Sequence, residues 1–379
     1  MRDERYFDAE AELRAALRLD PQNEGLHIAF GTALANKGDS DGAIAEYREA
    51  LRLNPKNELI HYGLAAAMEN KGDSDGEIEQ YREALRLNPD NESGHASLGV
   101  TLGRRGDSDG AIAEFREVLR LNPKNADAHA NLGLALWHNG DREGPIAEYR
   151  EALGLNPNNE LARYCLGVAL GRRGDPDGAM AEFREVLRLN PKHDYAHANL
   201  GLALWHNGDR EGAIAEYREA LRLNPNNEFA HVNLGVALWD KEDLDGAITE
   251  YREALRLNPK DDTAHGALGA ALSSKGDWDG AILEYCEALC LNPKNGSAHF
   301  NLGLALGHKG DWDGAIAELR KAARLSPNDA HAHYQLGFAY ERTRKYRKAL
   351  QEFRAAYILC PKDATYKQDY ERLLQQVSH

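Results

Sequence analysis

Disulfide cross-links are the first thing this chain cannot rely on. Its four cysteines (Cys165, Cys286, Cys290 and Cys360) in 379 residues are too few and too scattered for a disulfide scaffold. No apolar run approaches the roughly 18 residues that a spanning helix needs, so a membrane is not an expected partner. The opening MRDERYFDAE lacks a basic-then-apolar leader. A cytoplasmic location is the expectation, or an extracellular one if the N-terminus has been processed. Positive charge is in deficit: 46 Lys and Arg stand against 61 Asp and Glu, a net charge of −15. A nucleic acid is therefore not an expected partner for the molecule as a whole. No phosphate-cradling glycine loop, G-x-S-x-G elbow or zincin helix is present. The acidic residues are expected on solvated helix faces. Neither catalytic residues nor a cofactor is expected.

Proline is scarce as well, with 13 residues, but its placement is decisive. From Pro21 through Pro55 and Pro89 to Pro361, prolines recur every 34 residues, and only Pro145 and Pro176 fall off this ladder. Length alone suggests two or three domains. A fixed period of 34 residues predicts instead one solenoid of stacked units. In residues 126–159, Ala128, Leu132, Ala135 and Leu136 recur at helical spacing. Asn139-Gly140 breaks that helix and Asp141 can cap a second one. Ile146, Tyr149, Ala152 and Leu153 form the second apolar stripe, which Asn156-Pro157 ends, because proline lacks an N–H.

His27, Phe30-Gly31, Leu34, Ala43, Tyr47, Ala50 and Pro55 stand at the offsets of a known 34-residue signature. Ten full copies begin at residues 24, 58, 92, 126, 160, 194, 228, 262, 296 and 330. The chain thus resembles the tetratricopeptide repeat (TPR) family over essentially its whole length. That resemblance implies an all-α, right-handed superhelical solenoid. Residues 1–23 would be an N-terminal half repeat, 24–363 ten repeats in one domain, and 364–379 a capping helix. The recurrent glycine (Gly31, Gly99, Gly133 and onward, with Ala65 the one departure) leaves room where helices approach. The recurrent aromatic (Tyr47, Tyr81, Phe115, Tyr149) fills space between neighbours. NLGLALWHNGDREG occurs unchanged at 131–144 and 199–212, and 102–124 nearly recurs at 170–192. A pair of repeats has been copied.

The resemblance places the first helix of each repeat on a concave inner face. There it puts Asn131, Asn199, Asn233 and Asn301, with Gln335 in the last repeat. An amide both donates and accepts, so such a ladder can hold an extended peptide backbone. It is similar to the asparagine ladder of the TPR region of O-GlcNAc transferase, although Ala29, Gly63, Ser97, Cys165 and Ala267 interrupt it. Asparagine is also common at this position of the family. Trp137, Trp205 and Trp239 lie on or beside the same face, as binding residues or as covers for the adjacent turn. Trp278 and Trp312 read as packing residues. The family's carboxylate clamp would need lysine and asparagine where Tyr62, Ala130, Ala198, Leu134 and Leu202 stand, so chaperone tails are not expected partners. The expected function is a non-enzymatic scaffold binding a protein or peptide partner.

Nine histidines share one register position (His27, His61, His95, His129, His197, His231, His265, His299 and His333), with Arg163 in the one remaining copy. They occupy the family's tryptophan position. Adjacent copies lie about 8–10 Å apart, too far for a zinc shell of about 2.1 Å. Packing histidines with satisfied N–H groups are expected, and no metal. The GDSDG segments fit helix caps better than calcium loops, since Lys37 and Arg48 fall where acids are required. Cys286 and Cys290, one turn apart, are expected as unpaired outer-face thiols. Asn91 and Asn295 match the glycosylation pattern, relevant only on export.

The two ends allow an alternative, a structural subunit that polymerises head to tail. Residues 364–379 read as a lone first helix and 1–23 as a lone second helix, so two chains could complete one split repeat. Phe7, Leu13, Leu17, Tyr370, Leu373 and Leu374 would then lack part of their cover in a single chain. The basic run Arg342, Arg344, Lys345, Arg347 and Lys348 would face Asp3, Glu4, Asp8, Glu10 and Glu12.

Overall fold

The computed structural model describes residues 2–378, with side chains over 10–377. Among the described residues there are α-helices and no strands. They divide into two compact units. The first, ending at Leu189, holds α1 (Arg2–Leu19), α2 (Glu24–Lys37), α3 (Ser40–Leu53), α4 (Glu58–Lys71), α5 (Ser74–Leu87), α6 (Glu92–Arg104), α7 (Ser108–Leu121), α8 (Ala126–His138), α9 (Gly144–Leu155), α10 (Glu160–Arg173) and α11 (Pro176–Leu189). The second, starting at Asn190, holds α12 (Asp194–His206), α13 (Arg210–Leu223), α14 (Glu228–Asp240), α15 (Leu244–Leu257), α16 (Asp262–Lys275), α17 (Trp278–Leu291), α18 (Gly296–His308), α19 (Trp312–Leu325), α20 (Ala330–Arg342), α21 (Tyr346–Leu359) and α22 (Ala364–Ser378). Within each unit every hairpin packs on the next, so contacts stay local in sequence.

Local chemistry sets the helix ends. First helices start at an asparagine or aspartate whose side chain accepts a backbone N–H, as Asn125 does from Ala128 at 2.9 Å, except α12, where His193 Nδ1 accepts from Ala196 at 3.2 Å. Second helices start at the aspartate of the turn: Asp39, Asp107 and Asp243 accept the N–H of Gly42, Gly110 and Gly246 at 2.9 Å. The first acid of each GDSDG segment is therefore a cap. Replacing Asp243 by alanine is expected to cost about 1 kcal/mol, as is typical for a lost cap, and denaturant unfolding would measure it. Several of these turns close with a glycine in the left-handed region, such as Gly38 at φ 88°. Glu242 (φ 64°) and Arg344 (φ 58°) hold that conformation with a side chain, which is less favourable outside glycine.

Two second helices depart from the pattern: α21 follows Lys345, which makes no capping bond, and α9 starts late. Pro145 lacks the N–H that the matching Ala43, Ala111 and Ala213 donate to the carbonyl of the turn aspartate, so α9 begins only at Gly144. Asp141 accepts from Glu143 and Gly144 N–H groups (3.0 and 3.1 Å), while Glu143 makes no capping bond. In the copied turn, with Ala213 at the matching position, α13 begins at Arg210.

The core repeats one contact. A Cβ on Gly133, Gly201, Gly235 or Gly269 would lie 2.6–2.7 Å from the ring of Tyr149, Tyr217, Tyr251 or Tyr285. Those tyrosines are essentially inaccessible to solvent. The glycine is needed because the aromatic of the second helix rests directly on the backbone of the first. Ridges of charge link successive repeats at a constant offset. Lys71 meets Asp41 and Lys309 meets Asp279, while Asn54 donates to Glu24, Asn88 to Glu58 and Asn258 to Glu228. The ion pairs are exposed and contribute about 0–1 kcal/mol each. Not every acid is solvated, contrary to the sequence expectation. Glu77 is 2% exposed and accepts from Thr101 (2.6 Å) and Arg104 (2.9 Å). It stands where most repeats have alanine, and the sequence carries no sign that its two partners are 24 and 27 residues away.

Candidate functional site

Along a first helix, positions two, six and nine of the 34-residue unit fall on one stripe, since they are four and three residues apart. In the second unit that stripe reads Tyr195, Asn199 and Leu202 on α12, then Phe229, Asn233 and Val236 on α14. Tyr195 is 47% exposed and Val236 38%, and Phe338 at the matching place on α20 is 39% exposed. The first unit shows the same habit, with Leu59, Val100 and Leu161 exposed on α4, α6 and α10. Second helices also expose Leu283, Leu291, Leu325 and Ile358, three of them in a last turn. Charged side chains dominate the second helices instead, where Arg52 pairs with Glu49, Arg222 with Glu219 and Arg256 with Glu253.

The asparagines are half-buried within this apolar stripe. Each of Asn131, Asn199 and Asn233 donates one amide N–H to the carbonyl four residues earlier, on Asp127, Tyr195 and Phe229, at 2.7–2.9 Å. That bond fixes the rotamer. α12 and α14 touch, so Asn199 and Asn233 are neighbours, whereas α16 with Ala267 separates them from Asn301 on α18. Asn131 lies in the first unit. Gln335 lines a cleft of about 120 Å³ with Leu304, Trp312 and Phe338. Cys165, which occupies the ladder position in α10, is no reactive thiol: burial pushes it up to about 11, against a hydrogen bond with Tyr149.

Two of the first-helix tryptophans lie against arginines, that of the adjacent turn for Trp205 and one on α10 for Trp137. The Arg210 guanidinium lies 3.7 Å from the centroid of Trp205, and the Arg172 guanidinium 4.8 Å from Trp137. Trp239 is half-buried. Trp278 stacks on His308 at 4.0 Å, and Trp312 packs edge-on to Phe338. Both are packing residues.

The histidine column is more than packing. In eight repeats Nδ1 meets a glutamate of the second helix at 2.6–2.7 Å. In the same eight, Nε2 meets the carbonyl of the preceding proline at 2.9–3.3 Å. Both ring nitrogens thus lie within hydrogen-bond distance of an oxygen. Arg163, the one replacement, makes the same two bonds to Pro157 and Glu182 at 2.9 Å. For His197 the bond to Glu216 is the largest influence and holds the imidazole above its ordinary value, against burial. Burial is the largest influence on His27 and His231 and pulls them down. Their bonds to Glu46 and Glu250, the proline carbonyls and the nearby Glu49 and Glu253 together outweigh it and leave both raised.

The ends are better covered than the sequence suggests. Leu373 is fully buried, in a cluster with Tyr340 and Phe353. Tyr370 stacks on Tyr357 at 5.8 Å, and Leu13 and Leu17 pack against the Phe30–Leu34 cluster. Leu374 is 40% exposed, and the side chain of Phe7 lies outside the described residues. The basic run is partly engaged: Lys345 binds Asp313, and Arg342 covers Trp312. The last helix, α22, thus finds cover for Tyr370 and Leu373 within its own chain, against α21 and α20. Among the described residues no helix is long and apolar enough to cross a membrane, and no group of three or more His, Cys, Asp or Glu could hold a metal.

Comparison with known proteins places this geometry. No curated protein matches the chain. The Cut9-Hcn1 assembly of the APC/C superposes with a TM-score of 0.54 and 16% identity, covering 98% of this chain and 94% of that one. A tetratricopeptide repeat protein of Parabacteroides merdae gives 0.55 and 16%, covering 66% and 98%. The human IFIT1 dimer with m7Gppp-AAAA gives 0.52 and 17%, covering 95% and 96%. At these identities the likeness is one of fold. One tetratricopeptide repeat model matches residues 97–160, 164–228 and 232–298. Further TPR models match 31–72, 308–343 and 330–363. The chain belongs to the tetratricopeptide repeat family.

Proposed function

We propose that this chain is a non-enzymatic interaction scaffold whose second unit binds an extended, largely uncharged peptide along its first helices. One observation carries the reading: exposed apolar side chains recur in register there, with asparagines between them, while charge gathers on the second helices. Apolar side chains of the peptide would bury Tyr195, Val236 and Phe338. The free carbonyl of Asn233, with its remaining N–H, would meet the peptide backbone. Each such hydrogen bond contributes about 1 kcal/mol.

Selection of 12-residue peptides from a random display library on the immobilised protein tests this. Apolar sequences are expected to be enriched. Changing Asn199 and Asn233 together to alanine is expected to weaken a selected peptide by roughly tenfold to a hundredfold, at about 1.4 kcal/mol per decade, with the circular dichroism unchanged. Unaltered affinity in that double variant removes the asparagines from the account, and a selection that enriches nothing removes the groove.

A further inference from the structure

The first unit contains an internal experiment on charge. The segment Leu-Gly-Arg-Arg-Gly-Asp occurs at 102–107 and again at 170–175. In the first copy both arginines are engaged: Arg104 meets Glu69 (2.6 Å) and Glu77 (2.9 Å), and Arg105 meets Asp75. In the second copy the residues at the three facing positions are Trp137, Pro145 and Glu143. Arg172 has no carboxylate partner among the described residues and lies over the Trp137 ring. Arg173 approaches Glu143 only to 3.9 Å and Asp175 to 4.0 Å.

The opposite wall gives a second comparison. The turn Asn-Gly-Asp-Arg-Glu-Gly is identical at 139–144 and 207–212. In the second unit it is closed by its own charges: Lys241 binds Glu211 at 2.5 Å, and Arg210 lies 3.6 Å from Asp240 and against Trp205. In the first unit Pro145 delays the start of α9, and Arg142 has no ion pair among the described residues. Asp141 is engaged with two backbone N–H groups. The result is an open cleft of about 630 Å³ lined by Trp137, Asp141, Arg142, Glu143, Arg172 and Arg173. Its volume is that of a ligand site.

We infer that this cleft binds an acidic side chain of a peptide lying on the first helices of the first unit, with an apolar neighbour of that residue against Trp137. Guanidinium groups bind carboxylates through paired, charge-assisted hydrogen bonds. The carboxylate would supply what Glu69 and Glu77 supply to the earlier copy of the same arginines. The cleft is not the family's carboxylate clamp, whose positions here hold Ala130 and Leu134. The inference extends the peptide-binding reading from the second unit to the first and gives it a charge requirement.

The test uses the full chain and two end-blocked, dye-labelled hexapeptides, Ala-Leu-Glu-Phe-Glu-Ala and its Gln-for-Glu counterpart. Anisotropy gives affinity, and the five indole N–H signals, with Trp137 assigned through Trp137→Phe, give location. The acidic peptide is expected to bind at least tenfold tighter than the neutral one and to weaken with salt. It should move the Trp137 signal and leave that of Trp205 in place. Arg142→Ala with Arg172→Ala is expected to lose at least tenfold. So is Trp137→Glu with Pro145→Glu, which restores the carboxylates of the earlier copy. Equal binding of the two peptides overturns the charge requirement while leaving the peptide-binding reading intact. Binding of neither, or affinity unaffected by the arginine variants, overturns the site. Inorganic phosphate that shifts Trp137 at the same concentration as the acidic peptide overturns the peptide assignment in favour of free anions.

Discussion

Replacing Phe353 by alanine is expected to destabilise the C-terminal hairpins by about 3–5 kcal/mol, the range for losing a buried phenylalanine. Phe353 is 0% exposed, lies under Gly337 and packs on Tyr334 with centroids 5.5 Å apart. A Cβ on Gly337 would come within 2.7 Å of its ring, so the backbone of α20 rests on this side chain. In a solenoid each repeat is supported only by its neighbours. The loss should therefore concentrate in α20, α21 and α22, leaving α12 and α13 protected. Hydrogen exchange read helix by helix checks this. Uniform loss of protection throughout the second unit would show cooperativity longer in range than nearest-neighbour stacking.

Stability should also fall as pH rises above the ordinary histidine value of about 6.5. His27, His197 and His231 hold their protons more tightly folded than unfolded. The sign follows from linkage. Below the ordinary histidine value of about 6.5 the ring is charged in both states, and its bonds to glutamate and proline contribute fully. As pH climbs through the raised folded-state values, the folded protein loses those protons and the contribution disappears. The groups facing these rings are Glu46 and Glu49, Glu216 and Glu219, and Glu250 and Glu253; Arg52, Arg222 and Arg256 pair with the second of each. Chemical unfolding at several pH values measures the slope. His197→Arg with His231→Arg copies the solution found at Arg163 and should flatten the dependence. A stability that rises over this range, or a slope the double variant leaves unchanged, contradicts the linkage.

The hairpins were legible because their determinants are local. The 34-residue prolines, the turn aspartates and the glycine–aromatic pairs act within one repeat, and each recurs enough times to be read. The ladder asparagines and Trp137, Trp205 and Trp239 could be placed on first helices for the same reason. Their bonds could not, because an amide can turn back to its own helix as readily as outward. The histidine column illustrates the limit. Its period suggested packing, but the paired bonds of its rings emerge only when a glutamate 19 residues away and a carbonyl six residues back are seen to converge. Arg163, read alone, looks like an exception; its two bonds show that it satisfies the same demand.

The sequence by itself determined the repeat, the helix boundaries to within a turn and the identity of the packed aromatics, since these depend on backbone preferences and apolar spacing inside one unit. The tertiary structure alone decided which charges are answered. Glu77 is buried, Leu373 is covered and Arg172 has no carboxylate among the described residues because residues about 30 positions apart meet across a helix pair, and identical segments face different neighbours there. Electrostatic and packing energies depend on what stands opposite, and that is a property of the stack rather than of the repeat.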